Sequence, residues 1–357
     1  MLVDETTGLI NQAWLESLAH DIARLVQSSK QILIISSGAI ALGRGRLGLG
    51  KDKLSLAEKQ ACAAAGQVVL TQTYEAVLAP LGLNTAQALL TLNDTEDRRR
   101  WINARATLAT LLTLGAIPII NENDTVATDE IRYGDNDRLA ARVAQMCGAD
   151  LLVLLSDVDG LYDADPTLNN NAKHIAEIRE ITPEIMAMGG DSNKKRGTGS
   201  GGMATKLQAA RIATEAGCAM VITKGDAYNP LAVLADGAGK SSWFLAKTNP
   251  LLARKQWIAG SLKPKGSFII DAGAARALAK GSSLLAAGLV QTEGDFERGE
   301  AVLILDEAGS ELGRGLAGYS ADNANAIKGL KSSDIEAQLG YDGGAALIHR
   351  DNMVLNK

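Results

Sequence analysis

The sequence has few cysteines, few prolines and few aromatic side chains. Its 357 residues include 3 Cys and 7 Pro, and aromatic residues make up 4% of the chain. Cys62, Cys147 and Cys218 are widely spaced and form no C-x-x-C pair, which favours buried thiols in a reducing compartment over a disulfide framework. The scarcity of aromatic side chains argues against a surface on which nucleic-acid bases stack.

Long apolar runs and an excess of basic residues are missing as well. No stretch approaches roughly 18 uncharged apolar residues, and the start lacks the blocks of a secretory signal, so we expect a cytoplasmic protein without membrane contact. The formal net charge of −5 gives no global attraction to nucleic acid or an anionic membrane. With 46% hydrophobic and 22% charged residues, the composition is that of a folded chain of about two domains.

Helical and strand patterns alternate over the first two thirds of the chain. Apolar residues at three- and four-residue spacing predict a helix over residues 14–26, and helical composition predicts others over 54–79, 94–114, 135–147 and 205–216. Continuous apolar runs predict strands that are buried on both faces, at 31–36, 85–91, 116–121, 150–156, 219–223 and 243–246. These elements predict a doubly wound α/β domain with a mainly parallel sheet.

The pattern changes near residue 259 to short strands separated by Gly, Asp and Ser clusters. Strands are predicted at 267–270, 301–305, 311–316 and 345–349. We therefore expect a first domain over residues 1–255 and a smaller β-rich domain over 263–357. Only Met1, Leu2 and Val3 precede the first turn, so we expect the first domain to lack its opening strand.

Open α/β sheets bind ligands beyond the carboxyl ends of their strands, so the polar residues that follow each apolar run are candidates. The small residues at 36–39 form a strand-to-helix turn whose N–H groups suit an anion. Two polar clusters, at 121–130 and 133–137, could bind an ammonium group or Mg²⁺. The alternative for 36–39 is an ordinary glycine turn with a serine cap, and the alternative for each polar cluster is a solvated loop with a capped helix. A calcium loop is disfavoured because Val126 stands where such a loop needs glycine.

The glycine-rich stretch 196–206 is the strongest of these signals. It runs straight into a helix whose first turn carries Lys206, so backbone N–H groups, the helix N-terminus and a cation all suit a phosphate. The polar turn that begins at Ser156 would contact a nucleotide or another ligand. A G-x-G-x-x-G match at 43–48 lies beyond the first turn after its strand, which argues against a dinucleotide site. Without a metal-binding or acid–base arrangement of the 3 histidines, phosphoryl transfer to a small acceptor is favoured.

Several motifs together resemble the glutamate 5-kinase family. They are Ile35-Ser-Ser-Gly-Ala-Ile-Ala-Leu-Gly-Arg44, Asp97-Arg-Arg-Arg-Trp-Ile-Asn-Ala-Arg105, Ile119-Ile-Asn-Glu-Asn-Asp124, Gly134-Asp-Asn-Asp137, Leu155-Ser-Asp-Val-Asp-Gly-Leu-Tyr-Asp-Ala-Asp-Pro166 and Gly201-Gly-Met-Ala-Thr-Lys206. The resemblance covers nearly the whole chain. It implies an amino-acid-kinase domain followed by a small β-rich PUA domain. It also implies phosphorylation of the γ-carboxylate of L-glutamate by ATP and Mg²⁺, the committed step towards proline.

The resemblance implies a role for each matching position. The residues implied to bind glutamate are Ser37, Asp124 and Asn136. The residues implied to bind ATP are Ser156 and Asp157, together with the loop residues Gly201, Gly202, Met203, Ala204, Thr205 and Lys206. Lys206 is also implied to stabilise the transferring phosphoryl group, and Asp137 to orient the catalytic lysines. No residue is assigned to the metal.

The resemblance further implies proline as a feedback inhibitor, glutamyl phosphate reductase as a partner and a homo-oligomeric enzyme. RNA binding is expected to be absent, although PUA modules bind RNA elsewhere. Residues 265–357 contain 9 Lys and Arg against 13 Asp and Glu, and this acidic balance disfavours a tight RNA site.

Two departures from the family pattern keep alternatives open. The family begins with a strand carrying Lys-x-Gly-[ST]-Ser, whose lysine contacts the ATP phosphates, and this sequence starts just after it. The loop at 197–202 carries extra residues before Lys206. One alternative is therefore a regulatory protein that binds glutamate, proline or ATP but transfers phosphate poorly. The other is a kinase that acts on acetylglutamate, carbamate or a nucleoside monophosphate.

Overall fold

A computed structural model describes residues 1–3, 9–50, 53–126, 135–190, 202–261, 263–341 and 343–356. The chain divides into two compact units, Met1–Lys247 and Thr248–Lys357. The domain limits 1–255 and 263–357 that the sequence pattern indicates stay predictions.

Every predicted helical stretch of the first unit contains a helix, and three further short helices, Ala39–Arg46, Pro183–Ala187 and Pro230–Ala235, were not predicted. The helices of this unit are α1 (Gln12–Gln27), α2 (Ala39–Arg46), α3 (Leu56–Leu78), α4 (Leu92–Glu96), α5 (Arg98–Thr113), α6 (Asp135–Cys147), α7 (Pro183–Ala187), α8 (Met203–Glu215) and α9 (Pro230–Ala235). α1 begins where Asn11 accepts a hydrogen bond from the Trp14 backbone N–H at 3.2 Å, and it buries the apolar positions that the spacing predicts, Trp14, Leu15, Leu18 and Ile22.

The predicted helix over 94–114 is two helices. Asp97 has an extended backbone, φ −70° and ψ 120°, and its carboxylate accepts the Arg100 backbone N–H at 2.9 Å as the N-cap of α5. α4 has its own capping box, in which Thr91 and Asp94 exchange hydrogen bonds. Burial alone would raise the pKa of Asp94, but hydrogen bonds from Thr91 and Arg100 hold it below its usual value. Closely spaced caps of this kind start a new helix inside a continuous helical composition.

The strands of the first unit are β1 (Ile34–Ile35), β2 (Thr85–Leu90), β3 (Ile117–Glu122), β4 (Leu151–Ser156), β5 (Leu161–Tyr162), β6 (His174–Ile175), β7 (Glu177–Ile178), β8 (Ala219–Lys224) and β9 (Ser241–Phe244). One sheet has the order β1-β3-β2 and is parallel throughout. A second has the order β4-β8-β9-β7, in which only the β8–β9 pair is antiparallel, and β5 and β6 form a separate antiparallel pair. The mainly parallel α/β fold is confirmed. Burial on both faces holds for β3, whereas Gln87 and Leu89 of β2 and Leu151 of β4 are exposed.

A buried carboxylate of α1 fixes the start of α9. Asp21 is 2% exposed, and its Oδ2 accepts the backbone N–H groups of Leu231 at 2.9 Å and Ala232 at 3.2 Å. Its Oδ1 accepts the Asn229 side-chain amide at 3.2 Å and pairs with Arg24. A helix N-terminus leaves such N–H groups without partners of their own, so the carboxylate replaces the missing turn.

We expect Asp21→Ala to lower the free energy of unfolding by about 2 kcal/mol, because it leaves buried N–H donors of α9 unpaired. Chemical denaturation followed by circular dichroism measures the change. Glu16→Ala on the exposed face of the same helix is the control and should shift stability by less than about 0.5 kcal/mol. Equal losses in both variants would show that α1, and not the cap, determines the effect.

The second unit is built on a mixed sheet of short strands. Its helices are α10 (Pro250–Ser261), α11 (Ala272–Ala279), α12 (Ala321–Ala326) and α13 (Ile335–Leu339). Its strands are β10 (Gly266–Ile270), β11 (Leu284–Leu285), β12 (Leu289–Gly294), β13 (Ala301–Asp306), β14 (Glu311–Leu316), β15 (Ala346–Ile348) and β16 (Met353–Leu355). The main sheet has the order β12-β10-β13-β14-β16, in which the β10–β13 pair is parallel and the other pairs are antiparallel. It covers a core in which Phe268 and Phe296 meet edge to face, 5.4 Å apart.

The three thiols are free, and two of them, Cys62 and Cys218, are buried. Burial raises the pKa of Cys147 to about 11 and that of Cys218 to about 12, so both are protonated at neutral pH. Among the residues that the structure describes, no helix combines the length and the apolar character needed to cross a bilayer.

Candidate active site

The turn after β1 is built from small residues because the backbone is crowded there. Ser36 continues the ladder, its N–H donating to the Ile120 carbonyl at 2.9 Å, and Gly38 then takes φ +107° before α2 begins. A Cβ on Gly38 would lie 2.9 Å from Cγ2 of Val3. Only glycine adopts this backbone without strain, so the turn keeps the shape in which Ser37 is exposed.

Gly43, the first glycine of the G-x-G-x-x-G match at 43–48, has a packing role. Gly43 lies inside α2, and a Cβ there would lie 1.7 Å from the carbonyl oxygen of Cys62 on α3. A Cβ on Gly66 of α3 would likewise lie 1.8 Å from the carbonyl oxygen of Ala39. The two glycines therefore let α2 and α3 touch backbone to backbone, which holds the turn at Ser37 against the rest of the domain.

Asn136, in the first turn of α6, joins the two strand ends of the first sheet. Its Nδ2 donates to Ser37 Oγ at 2.6 Å, to Asn121 Oδ1 at 3.2 Å and to the Ser36 carbonyl at 3.3 Å. Two of the residues predicted to bind the substrate, Ser37 and Asn136, are thus brought into direct contact across 99 residues of sequence. The exposed hydroxyl and the amide form one polar surface beyond the carboxyl edge of the sheet.

The polar contacts continue into the core through residues that the sequence analysis missed. Asn121 is 4% exposed, and its Nδ2 donates to Oε1 of Gln67 on α3 at 2.8 Å. Ser36 Oγ lies 3.1 Å from the hydroxyl of Tyr74. Tyr74 lies about two helical turns after Gln67, on the same face of α3. Burial raises the pKa of Tyr74, so its phenol stays neutral and can take either role in this hydrogen bond. Polar side chains seven residues apart on the otherwise apolar buried face of α3 were the available signal.

We expect Gln67→Leu to raise the KM of the acceptor substrate several fold and to lower the melting temperature. Leucine removes the acceptor of the Asn121 amide, so the side chain that Asn136 depends on loses its fixed orientation, at a cost of about 1–3 kcal/mol. Steady-state kinetics and thermal melts measure the two effects. Gln72→Leu on an exposed position of α3 should change neither. An unchanged KM in Gln67→Leu would confine Gln67 to a structural role.

The residue next to Asn136 makes the second link of the site. Asp137 Oδ2 lies 3.0 Å from Nζ of Lys206, and the two side chains are 19% and 7% exposed. The Thr205 hydroxyl also donates to Asp137, at 3.4 Å. α6 and α8 pack against each other, and each leads into a strand to which it runs antiparallel, β4 and β8, so both N-termini lie at the carboxyl edge of the sheet.

The start of α8 offers N–H groups beside this ion pair. Gly202 is the N-cap, and its carbonyl accepts the Thr205 N–H at 2.9 Å, so the preceding N–H groups, those of Met203 and Ala204, have no partner within the helix. Such a helix terminus attracts anions. The predicted loop residue Gly201 lies outside the described residues.

Ser156 and Asp157 occupy the end of β4, in the second sheet. The Ser156 hydroxyl donates to the Asp157 carboxylate at 3.0 Å and accepts the Val158 N–H at 3.4 Å. The Ser156 carbonyl accepts the N–H of Gly225, the residue after β8, at 2.8 Å. The contacts of this turn run to its own residues and to the end of β8, and Ser156 is 3% exposed while Asp157 is exposed.

Asp124 lies just beyond β3, in a tight turn where the Val126 N–H donates to the Asn123 carbonyl at 3.2 Å. It is 8% exposed, which is low for a carboxylate. A cation that reached Asp124 would meet a poorly solvated charge and bind it strongly. Among the described residues no cluster of three or more His, Cys, Asp or Glu side chains is arranged to hold a metal ion.

Comparison with known proteins agrees with this architecture. The pattern of the amino acid kinase family matches residues 2–224, and that of the PUA domain matches residues 266–339. The chain is 56% identical to the glutamate 5-kinase of Paramagnetospirillum magneticum over 355 residues, which are 99% of this chain and 95% of that protein. It is 59% identical to the glutamate 5-kinase of a Jannaschia species over the same shares of both chains. The chain therefore belongs to the amino acid kinase family and, within it, to the glutamate 5-kinases.

Proposed function

We propose that this chain transfers the γ-phosphoryl group of ATP to the γ-carboxylate of L-glutamate, which gives ADP and L-glutamyl 5-phosphate, the first step of proline biosynthesis. The observation that carries the proposal is the pair Asn136 and Asp137. One of these consecutive residues contacts Ser37, and the other contacts Lys206. Since the first is a predicted acceptor-site contact and the second a predicted phosphoryl-site contact, α6 is suited to hold the two reactants side by side.

The acceptor half of the site suits an amino acid with two carboxylates. The Ser37 hydroxyl and the Asn136 amide are neutral groups of the kind that orient a carboxylate without neutralising it. Asp124 supplies the opposite charge that the α-ammonium group needs. The polar contacts behind Ser37 and Asn136 fix the positions of these two residues before the substrate arrives, which reduces the entropy lost on binding.

The transfer half of the site suits charge neutralisation. A γ-carboxylate oxygen of glutamate attacks the γ-phosphorus, and the bond from that phosphorus to the β,γ-bridging oxygen breaks, so that ADP leaves with the electron pair. Two anions must approach each other, and Lys206 together with the N–H groups of α8 would offset their repulsion. Asp137 holds the Lys206 ammonium in place through the 3.0 Å contact.

ATP and Mg²⁺ are the cofactors of this proposal. Kinase sites bind Mg²⁺ through the nucleotide phosphates and one or two carboxylates, and it supplies further positive charge to the phosphoryl group. Asp137, in the first turn of α6, and Asp157, directly after β4, are the carboxylates that we propose to hold the ion. The ligand types therefore fit the ion.

The proposal extends to the partners of the reaction. Proline, the end product, is proposed as a feedback inhibitor, and the enzyme is proposed to be a cytoplasmic homo-oligomer. L-Glutamyl 5-phosphate is a reactive acyl phosphate, so glutamyl phosphate reductase, which consumes it, is proposed as the partner that receives it.

Formation of γ-glutamyl hydroxamate in the presence of hydroxylamine tests the proposed function. The purified chain should form it only when glutamate, ATP and Mg²⁺ are all present, and ADP should appear in equal amount. N-acetylglutamate, carbamate and uridine monophosphate are the comparison acceptors. Phosphorylation of one of these in preference to glutamate, or nucleotide binding without any transfer, would contradict the proposal.

A further inference from the structure

The carboxyl edge of the second sheet carries a lysine for which the proposed reaction has no role yet. Lys224 ends β8, and the parallel register places it directly beside Ser156 of β4. On its other side lies Lys240, because Thr223 pairs with Ser241 and its hydroxyl donates to the Lys240 carbonyl at 3.3 Å. No sequence motif marks Lys224, and only the strand register brings it to the predicted ATP-binding turn.

The same register predicts on which face of the sheet the Lys224 side chain lies. Side chains two residues apart in a strand share a face, so Ser156 and Lys224 continue the rows of buried residues that precede them. Those rows pack in one cluster with α8, and their members are Leu152 and Leu154 of β4, Met220 and Ile222 of β8, and Leu207 and Ala210 of α8. α8 packs against this face of the sheet and begins at the carboxyl edge. Lys206, in the first turn of α8, and Lys224 therefore lie on the same side of the sheet.

The backbone under Lys224 is fixed from two directions. The Gly225 N–H donates to the Ser156 carbonyl at 2.8 Å, which extends the ladder beyond the strands. The Gly225 carbonyl accepts the indole N–H of Trp14 at 2.7 Å, in a buried hydrogen bond that ties the turn to α1. These two hydrogen bonds fix the backbone next to Lys224, so the Lys224 side chain extends from a fixed Cα position.

A carboxylate holds the ammonium group without covering it. Nζ of Lys224 lies 2.8 Å from Asp226 Oδ2, and the two side chains remain 53% and 57% exposed. The hydrogen bond to Asp226 raises the pKa of Lys224, which keeps it a cation at neutral pH. An ammonium group has three N–H donors, so one contact with Asp226 leaves two for a ligand.

We propose that Lys224 is a further cation of the nucleotide site, which donates to an anionic phosphate oxygen of ATP and is oriented there by Asp226. The proposal rests on the proposed function, because it takes the turn at Ser156 and Asp157 as the nucleotide-binding edge. Its specific content is that nucleotide affinity depends on the charge of a residue outside every family motif in this chain.

Binding of a non-hydrolysable ATP analogue with Mg²⁺, measured by calorimetry, tests the proposal without requiring catalysis. Lys224→Met should weaken binding about tenfold, the effect of losing one hydrogen bond between charged groups, while Lys224→Arg should retain most of the affinity. Lys247→Met is the matched control, because Lys247 also pairs with a carboxylate, Glu180 at 3.0 Å, and is exposed. This control should bind the analogue as the unchanged chain does.

Adenosine separates a phosphate contact from a general disturbance of the site, since it has the base and the ribose but no anionic group. Lys224→Met should bind adenosine as tightly as the unchanged chain does. Equal analogue affinity in Lys224→Met and the unchanged chain would overturn the proposal, and so would an equal loss of adenosine affinity. A chain that binds the analogue through Lys224 but does not phosphorylate glutamate would refute the proposed function and leave this inference standing.

Discussion

Replacing Lys206 with methionine is expected to lower kcat by a factor of about 10² to 10³, while the KM of glutamate changes only a few fold. Methionine keeps the volume of the buried aliphatic stem, so α8 should stay packed and the loss should reflect charge alone. The ammonium group matters most when negative charge accumulates on the oxygens between the two reactants. Initial rates of ADP release at saturating ATP and varied glutamate separate kcat from KM.

A substitution of Asp137, the ion-pair partner of Lys206, tests the role of Lys206 further. Asp137→Asn should also lower kcat, because the amide leaves the ammonium group less firmly held, and the double variant should lose much less than the product of the two single losses. Lys247→Met, on an exposed ion pair, should retain full activity. Fully multiplicative losses would mean that the 3.0 Å contact does not couple the two residues in the reaction.

Strand positions follow from apolar runs when a strand has partners along its whole length. The run at 116–121 predicts β3 to within one residue, and β3 pairs with β1 on one side and β2 on the other. The run at 31–36 is equally apolar, yet only Ile34 and Ile35 form a strand, since within the described part of the chain they are the two residues of this run that pair with β3. The two-residue strands β5, β6 and β7 escape prediction because no periodicity can be read from so short a segment.

The candidate site was predictable in its chemistry and not in its contacts. The rule that ligands bind at the carboxyl edge of a parallel sheet selected the segments of Ser37 and Asn136, and the glycine-rich loop before a helix selected that of Lys206. It could not select Gln67 or Lys224, because their roles depend on side chains brought close by strand order and helix packing. Local sequence carries the caps and the apolar periodicity, whereas pairs separated by many residues depend on the fold as a whole.

Asp124→Asn is expected to raise the KM of glutamate by about tenfold to a hundredfold with little change in kcat. The carboxylate is 8% exposed, so its attraction for the substrate ammonium is weakly screened by water, and asparagine keeps the shape without the charge. The loss should appear in KM because the ammonium group takes no part in bond making, so its contact is equally strong before and during transfer.

Glutarate, which lacks the α-amino group, tests the cause directly. The unchanged chain should use glutarate with a kcat/KM far below that for glutamate. Asp124→Asn should use glutarate about as well as the unchanged chain does. Glutarate has no ammonium group to pair with the Asp124 carboxylate, so removing that carboxylate should cost nothing with this substrate. Asp236→Asn, at an exposed position after α9, controls for loss of one negative charge and should leave both substrates unaffected. If Asp124→Asn lowered kcat/KM for glutarate as strongly as for glutamate, Asp124 would be holding the turn beyond β3 in shape and not the ammonium group of the substrate.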